Sequence, residues 1–440
     1  MRTVIAKFIP RGSIILAVTT FGSYAAGLLR DRILSQKFGA SVITDAYNAA
    51  FLPSDFLFNL LVASGIAAAG VPLFISIYKN NKTKAHDYMN ALLVTATATM
   101  IVVGVAIFLF ASSLSHLVAP GLSEEGRQTT IQLMRILAFS PILFAASNAL
   151  GAFLVAQKRF LWYGLSPMMY NVGIIGGVLL LTPRMGIIGA AWGALIGAGL
   201  HLLVRVVDAS LSGWKLRFAY DWPKAEMKKT FQLMAPKMIG HPVEMVTFWI
   251  FTSLASLLEP GSITALNLAR NFQSVPVSLI GIAIATAVFP SLAHAAVSSR
   301  KELHHLFQRT AGTILLISGT AALIIFVSRR LLISVLLGGG EFDEIAIAKT
   351  ALLLGVFCLS IPTESVSHLL ARTFYAAQNT IIPVVFSVIN LIVAGSSAYI
   401  LTQEIGIAGL PLGFFLGSFV KSAGLYIVLL RKRDNVSQQG

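Results

Sequence analysis

The chain has a single cysteine among 440 residues, 18 acidic side chains, and charged residues at only 12% of its positions. One cysteine excludes a disulfide framework, and Cys358, inside the run ALLLGVFCLSIP, reads as a small buried hydrophobe. No GxxxxGK[ST], HExxH, GxSxG or Cys/His metal spacing occurs, so ATP hydrolysis and the common hydrolase chemistries lack their residues. A soluble domain carries about 25% charged residues, and the shortfall excludes an ordinary cytosolic enzyme. What fills the space is apolar: 56% of the residues are hydrophobic and the mean hydropathy is +0.79. At roughly 36 residues per span and connection, the composition describes an integral membrane protein of roughly twelve helices. The formal net charge of +15 points to loop topology rather than to nucleic acid as a partner.

The predicted spans fall at about 10–36, 42–78, 86–113, 128–157, 161–182, 186–206, 230–258, 263–297, 307–337, 345–376, 381–401 and 406–430. The N-terminal run continues through TTFGSYAAGLL without a cleavage signal and is read as the first span. Pro53 and Pro72 interrupt the second, Pro236 and Pro242 the seventh, Pro276 the eighth and Pro362 the tenth. Such breaks free backbone groups, which is tolerated against protein or a wet cavity. Basic residues concentrate at Arg2, Lys7 and Arg11, at 79–84, 158–159, 205–229, 300–309 and 431–433. This pattern predicts that both termini are cytoplasmic. Trp214, Phe218, Tyr220 and Trp222 among lysines mark an amphipathic interfacial linker.

An internal repeat is visible. Gly186, Gly189, Gly193 and Gly197 recur as Gly406, Gly409, Gly413 and Gly417, a displacement of about 220 residues. Ala156-Gln157 returns as Ala377-Gln378, Pro167 as Pro383, and Gly65–Pro72 as Ala283–Pro290. The expected fold is all-α: two parallel six-helix repeats around a central cavity, working by alternating access. The domain reading is a bundle at 1–210, a cytoplasmic linker at 211–229, a second bundle at 230–433 and a cytoplasmic tail at 434–440.

Charges inside spans are costly and default to functional candidates. They are Arg30, Asp31 and Arg32 in span one, Asp45 and Asp55 in two, Arg135 in four, Lys237, His241 and Glu244 in seven, Arg270 in eight, Glu364, His368 and Arg372 in ten, and Lys421 in twelve. Arg30 to Arg32 read either as an interfacial cluster that snorkels or as cavity residues. Arg270, close to Asn267, Asn271 and Gln273, demands a wet or paired setting. Lys421, Arg372 and Arg135 suit snorkelling or structural pairing, and His241 and His368 suit packing. Glu244 and Glu364 read as protonated, cation-paired or ion-coupling groups. The cationic excess suits an anionic substrate, phosphate or pyrophosphate, because the arginine fork matches phosphate oxygens.

The blocks GLLRDRILSQKFGASVITDAYNAAFLP from Gly27, ARNFQSVPVSLIGIAIATAVFPSL from Ala269, Ala119-Pro120-Gly121, Gln157–Phe160, Gly340-Glu341-Phe342 and FYAAQNTIIP from Phe374 carry a family resemblance. The chain resembles the MurJ/MviN family of lipid II flippases, within the multidrug/oligosaccharidyl-lipid/polysaccharide exporter (MOP) superfamily. The resemblance implies export of undecaprenyl-pyrophosphate-linked peptidoglycan precursor without ATP and without enzymatic chemistry. It implies substrate binding by Arg30, Asp31, Asp45, Arg270 and Asn271, with Glu244 and Glu364 as ion-coupling candidates. The partners implied are the lipid-linked glycan, membrane lipids and cell-wall synthesis proteins. No cofactor or metal is expected, and the coupling ion, where one is used, is Na+ or H+. The chain departs from the family at Tyr24, where other members carry a further arginine, and at PSDFLFNLLVASG, which lacks their second-helix charges. It also ends at RKRDNVSQQG, short of two helices that many members carry, so the expectation is that the lipid tail uses another surface or that the substrate differs. The competing readings are a flippase for another polyprenyl-linked glycan, a cation-coupled multidrug exporter, and a non-transporting cell-wall scaffold.

Overall fold

The computed structural model describes residues 11–216, 222–240 and 242–437. Arg2, Lys7, Phe218, Tyr220 and His241 lie outside the described residues, as does the side chain of Lys237. Among the described residues all regular structure is helical, apart from one isolated bridge between Gly339 and Phe342 in the turn before Glu344. Apart from the single turn Thr182–Met185, the α-helices are α1 (Arg11–Phe38), α2 (Val42–Phe58), α3 (Ser64–Asn80), α4 (Lys82–Val118), α5 (Glu124–Leu137), α6 (Ser140–Ala156), α7 (Phe160–Leu180), α8 (Ile188–Leu211), α9 (Lys224–Gly240) and α10 (Pro242–Ser256). They continue with α11 (Ser262–Pro276), α12 (Ala283–Ser298), α13 (Arg300–Leu337), α14 (Glu344–Phe357), α15 (Ser360–Ala376), α16 (Ile381–Ile405) and α17 (Gly409–Ser437).

Helices dominate because a backbone in hydrocarbon must satisfy its own hydrogen bonds. Many of them present large apolar side chains outward, among them Leu109, Leu180, Leu316 and Val327, a surface suited to lipid rather than to water. By length and apolarity seven stretches qualify as membrane spans, and the bent pair α14–α15 makes an eighth. The stretch Ile381–Arg431 holds two of the twelve expected spans. Spans one, two and seven, each of which includes side chains outside the description, are not among these eight. The first carries Arg30, Asp31, Arg32 and Lys37, the second changes to a π-helix at Asn59–Ala63, and the seventh is divided between α9 and α10.

The prolines account for most breaks. A second π segment, Val277–Ile282, follows Pro276 directly. Pro362 removes the N–H that would bond the Cys358 carbonyl, and α14 and α15 bend by 44° there. Pro141 stands in the same relation to Leu137 at the α5–α6 junction, a break that sequence reading did not anticipate.

The chain divides into two compact units, 11–38 with 42–242 and 39–41 with 243–437. In the first, α7 packs on α1 and α8, α2 on α5, and α3 on α4, α6 and α9, around Phe74, Tyr88, Met89 and Phe153. Helix α9 is grouped with this unit, where Lys84 Nζ lies 2.8 Å from Glu226 and holds its carboxyl below the usual range. Trp214 is buried and donates to Asn90 Oδ1 at 3.1 Å, so it fastens the linker to α4, whereas Trp222 remains exposed. In the second unit α16 packs on α17, and α15 on α12, α13 and α17, around Leu292, Phe307, Leu369 and Phe374.

The duplication extends to backbone detail. Lys158 and Gln378 are the two non-glycine residues with positive φ, at 59° and 57°, among the described residues. Each closes a helix in the same way: Arg159 N–H reaches Leu154 O and Asn379 N–H reaches Phe374 O, both at 2.9 Å. Gly186 and Gly406 share φ values of 58° and 63°. The repeated glycines let helices touch through backbone. A Cβ at Gly193 would meet Gly173 O and Gly177 Cα at 2.8 Å, and one at Gly413 would meet Ala398 Cα at 2.8 Å. Gly193→Leu is therefore expected to force α7 and α8 apart, at a cost of about 1–3 kcal/mol or more. A marked fall in the melting temperature of detergent-solubilised protein checks this, against Gly176→Ala as a control, where an added Cβ meets nothing within 4 Å.

Candidate functional site

In the first unit the site grows from the carboxyl half of α1. Arg30 donates through Nε and Nη2 to Asp31 Oδ1 at 2.9 and 2.7 Å, and through Nη1 to Asn171 Oδ1 on α7 at 3.0 Å. Asn171 is itself fixed, its Nδ2 donating to Pro167 O at 3.2 Å and Ser23 O at 3.4 Å. Pro167 cannot donate to the helix ladder, and Asn171 one turn later uses its carbonyl instead. The result is an arginine held by one carboxylate and one amide, its side chain 24% accessible. Asp45 is 2% exposed in the first turn of α2, where the N–H groups of a helix start favour a carboxylate. Arg30 bonds Asp31 and Asn171 rather than Asp45.

In the second unit α10, α11 and α15 converge on Arg270. Its Nη2 donates to Glu244 Oε1 at 2.8 Å and Glu364 Oε1 at 3.2 Å; its Nη1 donates to Gln273 Oε1 and, at 3.4 Å, to Glu364 Oε2. The guanidinium also lies 4.8 Å from the Phe248 ring centre and 4.9 Å from that of Phe414, within cation–π range. Gln273, fully buried, donates to Glu364 Oε2 at 2.7 Å and Ser360 Oγ at 3.0 Å. Ser360 donates to Phe357 O at 2.7 Å, satisfying a carbonyl at the α14–α15 bend. The break in span ten thus supplies the anchor for Gln273 and Glu364. Lys421 on α17 and His368 on α15 are within electrostatic reach of both glutamates.

Arg270, Glu244 and Glu364 are therefore one cluster, and Arg30 with Asp31 another within its own unit. Asn271 is exposed, next along α11 from Arg270. The arginine expected to wait for an anion is instead neutralised by carboxylates. Gln273 enters the sequence reading only as a polar neighbour one turn from Arg270, and Asn171, one turn from Pro167, is not singled out by its chemistry.

Three further charged residues of the first unit, Arg205, Arg159 and Asp208, bind its helices together. Arg205, 4% exposed, donates to Ser166 Oγ at 2.8 Å, Ser147 O at 2.9 Å and Asn148 Oδ1 at 3.2 Å, beneath the Tyr163 ring. Arg159 pairs with Asp208, at 2.8 Å through Nε and 2.5 Å through Nη2, and this bond raises the arginine above its ordinary pKa. Asp208 is 1% exposed and its Oδ2 has no hydrogen-bond partner, so Arg159 is the group that compensates its charge. Arg159→Ala is expected to destabilise the first unit by about 1–3 kcal/mol, because a buried acceptor loses its donor. Thermal melts should show Arg159→Ala/Asp208→Asn recovering most of that loss.

Comparison with known proteins places these clusters in context. A family model described as lipid II flippase MurJ matches residues 34–440. A lipid II flippase MurJ from Burkholderia cenocepacia is 29% identical over 430 residues, covering 94% of this chain and 82% of the relative. A probable lipid II flippase MurJ from Bdellovibrio bacteriovorus is 27% identical, covering 97% of this chain and 83% of the relative. Among solved structures, a lipid II flippase MurJ in an inward closed conformation matches with a TM-score of 0.82 at 21% identity, over 94% of this chain and 87% of that one. An inward-facing MATE transporter of the MOP superfamily matches at 0.77 and 13% identity, over 97% and 99%. At these identities the structures speak for the fold, which is that of the MOP superfamily.

Proposed function

The chain belongs to the MurJ family of lipid II flippases, and from that premise we propose that it carries lipid II across the cytoplasmic membrane by alternating access, with Arg30 and Arg270 serving the pyrophosphate. The observation that carries the assignment of residues is that each unit orients one intramembrane arginine through a dedicated amide, Asn171 in the first and Gln273 in the second. An arginine in a low-dielectric setting binds a phosphate oxygen pair bidentately, and a fixed fork loses less entropy on doing so. Three of the roughly five guanidinium N–H groups of Arg30 are used by Asp31 and Asn171, which leaves an edge for a phosphate oxygen.

Translocation makes and breaks no covalent bond, so no catalytic residue is required. The driving force is the membrane potential or a gradient of Na+ or H+; one charge moved through 100 mV supplies about 2.3 kcal/mol. The distribution of Lys and Arg among the loops supports cytoplasmic termini. Complementation tests the reading: the chain should restore growth and lipid II export to cells depleted of their own flippase. Normal membrane insertion without restored export would favour a scaffold that recruits cell-wall synthesis proteins.

A further inference from the structure

Tyr47 lies on α2, two residues beyond Asp45, in an apolar cluster shared with Ile33 and Leu34 of α1 and with Tyr170 and Ile174 of α7. These two neighbouring helices are the ones that carry Arg30 and Asn171. The residue is 6% exposed, and its ring meets that of Phe51, one turn along, edge-on at 5.0 Å between centroids. Every contact of the ring would suit a phenylalanine. The hydroxyl is the exception: it is buried and, among the described residues, has no hydrogen-bond partner. Such a group is unfavourable where it stands, and phenylalanine would fill the same space without that cost. Arg30 and Asp31 lie within electrostatic reach of the hydroxyl, but the guanidinium is itself only a donor, and Asp31 Oδ1 already accepts two bonds from Arg30. Tyr170, half-buried beside Asn171, is within reach of both Tyr47 and Arg30, with its ring held edge-on by Phe144 at 5.1 Å. A guanidinium edge and a phenolic O–H, both donors and set among the same three helices, complement an oxyanion.

Resting on the flippase reading, we propose that the Tyr47 hydroxyl is a second donor to the pyrophosphate in the first unit, giving its hydrogen bond to an oxygen of the phosphate held by Arg30. A phosphate oxygen is a charged acceptor, so the bond is stronger than one between neutral groups, and a donor unmet in the protein alone is met in the complex. The Arg30 side chain is 24% accessible whereas the hydroxyl is covered, so the arginine meets the substrate first and the tyrosine engages as α1, α2 and α7 adjust around it. The unmet hydroxyl raises the free energy of the substrate-free state, and binding relieves it. Being neutral, the donor adds affinity without adding a charge to the membrane interior.

Tyr47→Phe, which removes one oxygen and keeps the ring, tests this in the purified protein in nanodiscs. Two probes are titrated: lipid II, and undecaprenyl diphosphate, which presents the pyrophosphate without the glycan. Affinity for both is expected to fall on the order of tenfold, the loss of one hydrogen bond to a charged group. The melting temperature of the same preparation should equal or exceed that of wild type, because a buried unpaired hydroxyl has gone; a tyrosine with a merely structural role would not move the two readouts in this way. Arg30→Ala/Tyr47→Phe should lose less affinity than the product of the two single losses, since both side chains serve one phosphate. Unchanged lipid II affinity in Tyr47→Phe overturns the assignment and leaves the flippase reading standing. So does a lowered melting temperature or a variant that fails to fold, either of which marks a packing role, and so do losses that multiply in the double variant. A loss confined to lipid II, or wild type that binds lipid II but not undecaprenyl diphosphate, places the contact on the glycan and overturns the assignment as well. Folded wild-type protein that binds no lipid II overturns both.

Discussion

Arg270→Ala is expected to abolish lipid II translocation and to lower thermal stability in the same protein. The stability loss follows from the two carboxylates left behind: removing one partner of a buried ion pair costs about 3–5 kcal/mol. The exposure of Glu244 reduces this, and the loss of contact with Phe248 and Phe414 adds to it. Arg270→Ala/Glu364→Gln separates the two effects. The double variant removes the excess charge and should recover much of the melting temperature, yet it should still fail to translocate, because the phosphate ligand is gone. Arg270→Lys keeps the charge but loses the fork and the stacking, and should fall between. Melts in detergent and translocation in proteoliposomes, measured on the same preparations, read both.

Arg30→Ala carries the second large effect. Truncating one side of a desolvated, hydrogen-bonded charge contact costs about 2–5 kcal/mol, on the order of a hundredfold or more in substrate affinity. Little stability should be lost, because Asp31, 16% accessible, keeps contact with water when its partner is removed. Asn171→Ala removes only the amide that aims Arg30, and is expected to weaken lipid II binding by on the order of tenfold through a single lost hydrogen bond to a charged group. Since it changes no charge, its salt dependence should match wild type, whereas that of Arg30→Ala should be flatter. Binding of lipid II to nanodisc-embedded variants over a salt series checks this pair.

Much of the architecture is legible in the residues alone. The twin glycine ladders and the paired Pro, Ala-Gln and Gly positions foretell a duplicated bundle, and the structure repeats them down to the helix closures at Lys158 and Gln378. Arg30 and Arg270 stand out because an intramembrane arginine is too costly to be incidental. Their surroundings are another matter. Nothing in the local sequence says that Glu244, Arg270 and Glu364, on three different helices, share one set of hydrogen bonds, since their contact depends on how α10, α11 and α15 pack. Trp214 has the composition of an interfacial anchor but is buried against Asn90, a long-range contact that amphipathicity does not encode. The break at Pro141 falls in the middle of the predicted span 128–157, where the apolar run continues across the proline and hides the bend.

Translocation of lipid II by the purified protein in proteoliposomes, under an imposed membrane potential, tests the central claim most directly. Wild type should move the lipid, and Arg30→Ala and Arg270→Ala, reconstituted at matched density and orientation, should each lose that activity. Translocation at the wild-type rate by both folded variants would contradict the assignment of the pyrophosphate to these two arginines.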